Sequence, residues 1–198
     1  TRWLSDWSSD VCSSDLGSIQ LQMGATEIGQ GADTVFTQMA AESLGMTEDK
    51  IFIQSAQDTD ITPFDTGAYA SRQTYVSGKA LKKAAEQLKS RILDYAAYML
   101  KLPQESLNIM DNQIVSIDSA KPLLSLEALA TEAFYSLERS EHITAEVTNH
   151  CKENTFASGA CFAEIEVDIP LGKIKIIKIV NIHDSGILIN PKLAEAQV

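Results

Sequence analysis

Between Tyr75 and Lys101 the apolar residues Leu81, Ala84, Ala85, Leu88, Ile92, Tyr95, Ala96 and Met99 recur at spacings of three and four, with Lys82, Lys83, Glu86, Lys89 and Asp94 largely on the other side. That period is an amphipathic helix, and Pro103 ends it. At 1.5 Å per residue such a helix is roughly 40 Å long, about the full width of a domain. Ile19, Leu21 and Met23 alternate with Gln20, Gln22 and Gly24 as a half-buried strand, and Ile51 to Ser55 reads as a second. Between them Val35, Phe36, Met39, Ala40 and Leu44 carry the helical period, with Gly45 as its stop.

Further along, Leu107 to Met110 and Gln113 to Ile117 flank Asp111-Asn112 as a small hairpin, and Ser125 can cap a helix from Leu126 to about Tyr135. In the last third, Ala163, Ile165, Val167 and Ile169 alternate with Glu164, Glu166 and Asp168, and Pro170 to Lys173 makes a turn. The returning strand, Ile174 to Ile182, should pair its lysines with those acids. The lysine parity slips between Lys175 and Lys178, which predicts a bulge or a strand covered on both faces. Asn190-Pro191 reads as turn punctuation. The expected class is α/β, with mixed sheets and flanking helices. Residues 1 to 16 repeat Ser-Ser-Asp and share no period with the rest of the chain. They are expected to be a non-native extension, leaving 17–198 as a partial domain truncated at both ends.

A net charge of -11 argues against nucleic acid or an anionic membrane surface as the main partner. No apolar run approaches the roughly 20 residues of a membrane span. Cys12, Cys151 and Cys161 form neither an even set nor a C-x-x-C pair, so a reducing, cytoplasmic setting is expected without a disulfide framework or zinc knuckle.

Two glycine-bearing segments sit where a strand gives way to a helix. In Gly24-Ala25-Thr26-Glu27-Ile28-Gly29-Gln30-Gly31, the Lys-Ser/Thr pair of a phosphate loop is missing and the dinucleotide order of glycines is absent. The residues leave open a polar-ligand loop or a plain turn. In the segment from Asp58 to Gln73, Asp58, Asp60 and Asp65 fail the calcium-loop template, because Pro63 and Tyr69 stand where glycine and glutamate are needed. Carboxylates satisfying backbone N–H groups are the simpler reading, and Arg72 is expected to pair with one of them rather than with a ligand phosphate. His183-Asp184-Ser185-Gly186 matches a hydrolase triad only in letters.

Three separated strings, G-A-T-E-I-G-Q-G-A-D-T, Q-D-T-D-I-T-P-F-D-T-G-A-Y-A-S-R-Q-T-Y and H-D-S-G-x-x-x-N-P-x-L-A-E-A-Q-V, fall in an order that resembles the molybdenum hydroxylase family, in the molybdenum-binding subunit of its xanthine dehydrogenase branch. The resemblance covers residues 18 to 198. It implies a molybdenum-molybdopterin cofactor, with Ile28, Gly29 and Gln30 on one contacting loop, Ala70 at the position approaching the metal, Ser71, Arg72 and Gln73 on the segment after it, and Gln197 as a further contact. It implies hydroxylation of a purine carbon with water-derived oxygen, and electron transfer through 2Fe-2S clusters and FAD on partner subunits or domains to NAD. The family's general-base glutamate belongs to a Gly-Glu-Pro-Pro stretch absent here, so no catalytic residue is assigned, Glu27 included, and the chain alone is expected to be inactive. A sibling hydroxylase acting on aldehydes or other N-heterocycles, or an inactive cofactor-binding piece, are the alternatives. Ala196 departs from the glycine that the family carries before its glutamine.

Overall fold

The computed structural model describes residues 7–13, 17–54, 56, 58, 60, 62–151 and 156–198, and divides into one unit over Thr1–Asn154 and another over Thr155–Val198. In chain order the first contains β1 (Trp7–Ser13), β2 (Ile19–Met23), α1 (Ala32–Leu44), β3 (Ile51–Ile53), α2 (Gln73–Leu100), β4 (Leu107–Met110), β5 (Gln113–Ser116), β6 (Pro122–Ser125), α3 (Leu126–Tyr135) and β7 (Thr144–Asn149). The second contains β8 (Ser158–Asp168), β9 (Lys173–Asp184) and α4 (Pro191–Ala196).

The first unit is built on a sheet in the order β3-β2-β1-β7. β1 runs antiparallel to β2 and β7, while β2 and β3 are parallel and joined through α1. α2 lies across β1 and β7, and α1 packs against α2 and β3. The expected stripe is the buried one: Leu81, Ala84, Ala85, Leu88, Ile92, Tyr95 and Ala96 are all within 2% of full burial, as are Ile19, Leu21 and Met23 from β2. Each large side chain buried in this way contributes about 1.5–3 kcal/mol. Gly45 ends α1 in the left-handed region, at φ 83°, and donates its N–H to the Ala41 carbonyl. An added Cβ there would collide with the Ile109 carbonyl oxygen, so the stop is also a close approach.

Residues 7–13, set aside in the sequence reading, fill the strand position between β2 and β7. A strand position is held through backbone N–H and C=O groups that any non-proline chain offers, so the pairing is silent on the segment's origin. Residues 1–6 and 14–16 of that segment, Trp3 among them, lie outside the described residues, as does Ser55 at the expected end of β3. The expected hairpin is β4 and β5, turning through Asp111 and Asn112 at φ 49° and 64°. Ser125 caps α3, its Oγ accepting from the Ala128 N–H at 3.1 Å.

In the second unit β8 and β9 form a two-stranded hairpin, and its register shifts between Glu164 and Ile165. Glu164 faces Lys178 but Glu166 faces Lys175, so the slipped lysine parity is a bulge. Glu166 and Lys175 are 3.5 Å apart. The pairs Ala163–Ile179, Ile165–Ile176 and Val167–Ile174 share one apolar face, which is exposed. A lone hairpin is marginal in water, and an apolar ladder on it promotes association. Ile176→Thr should slow aggregation of this 198-residue chain several-fold without moving the unfolding midpoint of the first unit. Light scattering and urea titration check this, and unchanged scattering would place the sticky surface elsewhere. α4 corrects the reading of 190–191 as a turn: Asn190 accepts from the Leu193 N–H at 3.1 Å and Pro191 opens the helix.

Candidate functional site

The first loop leaves β2 at Met23 and enters α1 at Ala32, and several of its amides are met by its own side chains. Glu27 Oε1 accepts from the N–H groups of Gly29 (2.6 Å) and Gly31 (3.1 Å), and Oε2 accepts from the N–H of Asp33 at 3.0 Å. Burial alone would raise its pKa, but the backbone N–H groups of Asp33, Gly31, Gly29 and Ala32 outweigh that and hold the carboxyl below the ordinary glutamate value. The loop's anion position is therefore filled by its own carboxylate. Ile28 projects from the tip, 68% exposed, and its N–H donates to Gln30 Oε1 at 2.7 Å.

The second loop is organised around Asp65, whose side chain is 3% exposed. Its Oδ1 accepts from Arg72 Nη1 (2.8 Å) and the Gly67 N–H (2.9 Å), and its Oδ2 accepts from Ser77 Oγ in α2 at 3.0 Å. Arg72 Nη1 also donates to the Gly67 carbonyl at 2.7 Å, and its guanidinium lies 5.4 Å from the Tyr69 ring centre. The expected choice of an aspartate by Arg72 is what the geometry shows. Asp58 serves the backbone as well, taking the Asp60 N–H at 2.9 Å. Just before α2, Ala70 and Ser71 stand at φ 51° and 55°, closed by the Arg72 N–H donating to the Tyr69 carbonyl. Two left-handed residues under an i to i+3 bond mark a type I′ turn, which glycine and asparagine usually supply. Alanine and serine cost of order 1–2 kcal/mol each there.

The two loops meet at one carbonyl. Thr26 O accepts from Gln30 Nε2 (3.0 Å) and from Gln73 Nε2 (2.9 Å), and Gln30 Nε2 also donates to Gln73 Oε1. Gly24 makes the approach possible, since a Cβ there would sit 2.6 Å from the Pro63 carbonyl oxygen. At Gly29 and Gly67, φ 98° and 116°, an added Cβ would meet nothing within 4 Å. The face of the joined loops thus carries neutral amides, open space beside two glycine backbones, and the exposed turn at Ala70 and Ser71.

The sequence model of the molybdopterin cofactor-binding domain family matches residues 5–198. The chain belongs to this family. Among curated relatives, the xanthine dehydrogenase molybdenum-binding subunit of Escherichia coli O157:H7 is 48% identical over 183 residues, covering 92% of this chain and 24% of that protein. Among solved structures, reconstituted CO dehydrogenase from Oligotropha carboxidovorans aligns at a TM-score of 0.82 and 28% identity, over 98% of this chain and 24% of that one. Quinoline 2-oxidoreductase from Pseudomonas putida 86 shares the fold at a TM-score of 0.84 and 22% identity, over 98% of this chain and 25% of that one. The chain spans about a quarter of the length of the curated relatives it matches. The mixed α/β class agrees with these folds.

The donor set fits a molybdopterin. A pterin is a flat, neutral heterocycle edged with donors and acceptors, which primary amides complement in both directions. Among the described residues no group of three His, Cys, Asp or Glu is arranged to hold a metal ion. Of the residues singled out from sequence, Gln30 and Gln73 are in direct contact, Ile28 and Gly29 stand beside Gln30, and Ala70, Ser71 and Arg72 lead into Gln73. Gln197 belongs to the second unit, at the end of α4, where its N–H donates to the Ala194 carbonyl. The sequence reading missed three participants: the Thr26 carbonyl, Ser77, and Asp65 as the hub. A backbone carbonyl has no sequence signal, and Asp65 stands among other aspartates with nothing local to distinguish it.

Proposed function

We propose that these loops form part of the wall holding the molybdenum-molybdopterin cofactor in a purine-hydroxylating enzyme of the xanthine dehydrogenase type. The observation that carries the reading is the knot of Gln30, Gln73 and the Thr26 carbonyl, which brings two glycine-bearing loops of a molybdopterin cofactor-binding domain into register. The bound cofactor supplies metal-centred oxidation that inserts a water-derived oxygen. This chain's residues hold and orient it. When the cofactor is bound, Gln30 would hold it from the first loop, with Ile28 and Gly29 flanking, and the exposed turn at Ala70 would be the segment nearest the metal. Ser71, Arg72 and Gln73 would line the pterin, with Asp65 fixing Arg72, and Gln197 would be a further contact. In such an enzyme 2Fe-2S clusters and FAD on partner subunits would carry the electrons to NAD, in the cytoplasm. A purine substrate is supported by 48% identity to a xanthine dehydrogenase subunit, against 28% to a CO dehydrogenase.

In the full-length enzyme, Gln30→Ala should lower molybdenum content about tenfold, the worth of one or two lost hydrogen bonds, and also lower the unfolding midpoint, since its bonds to Ile28, Thr26 and Gln73 are lost as well. Metal analysis against protein concentration reads this. Full molybdenum content in that variant would remove the first loop from the site. Dye reduction with xanthine, an aldehyde and quinoline as alternative substrates tests the purine assignment, which an aldehyde preference would overturn.

A further inference from the structure

We propose that Glu27 is the positioning residue of the first loop, setting the place of Gln30 through the backbone on either side of it. α1 starts behind Gly31, a residue at φ 82° with no side chain to cap the helix. The first amides of a helix have no partner within it and carry partial positive charge. Serine or aspartate at the cap position usually meets them. Here the acceptor comes from Glu27, which takes the helix amide of Asp33 together with the loop amides of Gly29 and Gly31. Gly29 and Gly31 are the two neighbours of Gln30, so one carboxylate grips the chain on both sides of that residue. With its backbone fixed, Gln30 turns Oε1 to the Ile28 N–H and Nε2 to Thr26 and Gln73.

The seated carboxylate also makes the N-terminus of α1 unattractive to an outside anion. Only what Gln30 holds rests on the proposed function; the link from Glu27 to Gln30 stands on the hydrogen bonds themselves.

The test uses the full-length protein in two arms. In the cofactor-free form, Glu27→Gln should speed amide hydrogen exchange at Gly29, Gly31 and Asp33 about tenfold or more, since hydrogen bonds to a charged group are lost, with far smaller changes in β2. Unchanged exchange at those amides would overturn the proposal. In the cofactor-loaded form, Glu27→Gln should lower molybdenum content about tenfold in the parent, and hardly at all when Gln30→Ala is already present, because a residue acting through another has no effect once that other is gone. Equal losses in both backgrounds would overturn it. If Glu27→Gln does not fold, Glu27→Asp, which keeps the charge but shortens the reach, serves in both arms with the same criteria. Should Gln30→Ala alone retain full molybdenum, the cofactor reading falls, while the exchange arm still decides the role of Glu27.

Discussion

Asp65→Ala is expected to destabilise the first unit by about 3–5 kcal/mol, because it leaves the guanidinium of Arg72 buried without its counter-charge. The side chains of Arg72 and Asp65 are 10% and 3% exposed, so water cannot replace the carboxylate at low cost. The change also removes the acceptor of Ser77 Oγ and of the Gly67 N–H. Asp65→Asn should cost less, since an amide oxygen still accepts, and pairing Asp65→Ala with Arg72→Met should recover part of the loss by removing the buried charge as well. Urea unfolding of the three variants checks the order. A shift within about 0.5 kcal/mol for Asp65→Ala would mean that the ion pair behaves like a surface pair. The consequence reaches the site through chain geometry. The pair bridges from residue 65 to residue 72, across the left-handed turn at Ala70 and Ser71, and nothing in the local preferences of alanine or serine favours that turn. With the bridge gone, the turn should relax, and Gln73 behind it should lose its fixed place beside Thr26.

The parts of this molecule that are legible in its sequence are those fixed by local periodicity. The stripe of α2 is visible because a helix repeats every 3.6 residues, whatever it packs against, and the bulge between β8 and β9 is visible because two lysines break a period of two. Ser125 is legible as a cap because the bond it makes spans only three residues. Asn190-Pro191 carries an equally local signal, asparagine at the cap and proline at the first helical position, but the same pair also suits a turn. β7 is not among the elements read from the sequence: Ala145, Val147 and Asn149 alternate toward the core, but a polar residue at the third position breaks the apolar pattern. The site is different in kind. Gln30 and Gln73 are 43 residues apart and meet at a backbone carbonyl, and no property of either glutamine announces the other. Family resemblance supplies that pairing of loops, whereas the hub at Asp65 and the carboxylate of Glu27 in the amide nest come only with the fold.

Gly24→Ala is the substitution for which sequence and structure give opposite signs. Gly24 is not among the glycines at positive φ, so alanine strains no backbone there and would stiffen the unfolded chain, a gain of about 0.4–1 kcal/mol. The fold reverses this, because the new Cβ would lie 2.6 Å from the Pro63 carbonyl oxygen, 2.9 Å from Asp65 Cβ and 3.0 Å from the Phe64 carbonyl carbon. Overpacking of that kind costs about 1–3 kcal/mol, which outweighs the gain. One side has to move, and Gly24 comes directly after a strand whose neighbours on both sides hold it, so the segment from Pro63 to Asp65 gives way. Asp65 moves with it, and with Asp65 the bonds to Arg72 and Ser77. The expected result is a modest fall in stability together with a loss of molybdenum as large as that of Gln30→Ala, and chemical-shift changes at Ser77 and Gln73, far along the sequence from the altered residue. Gly29→Ala is the control: its Cβ enters open space and its cost is the left-handed φ alone, so its shift changes should stay within the first loop. If Gly24→Ala leaves Ser77 and Gln73 undisturbed, the two loops are neighbours without being coupled, and each would have to be positioned on its own.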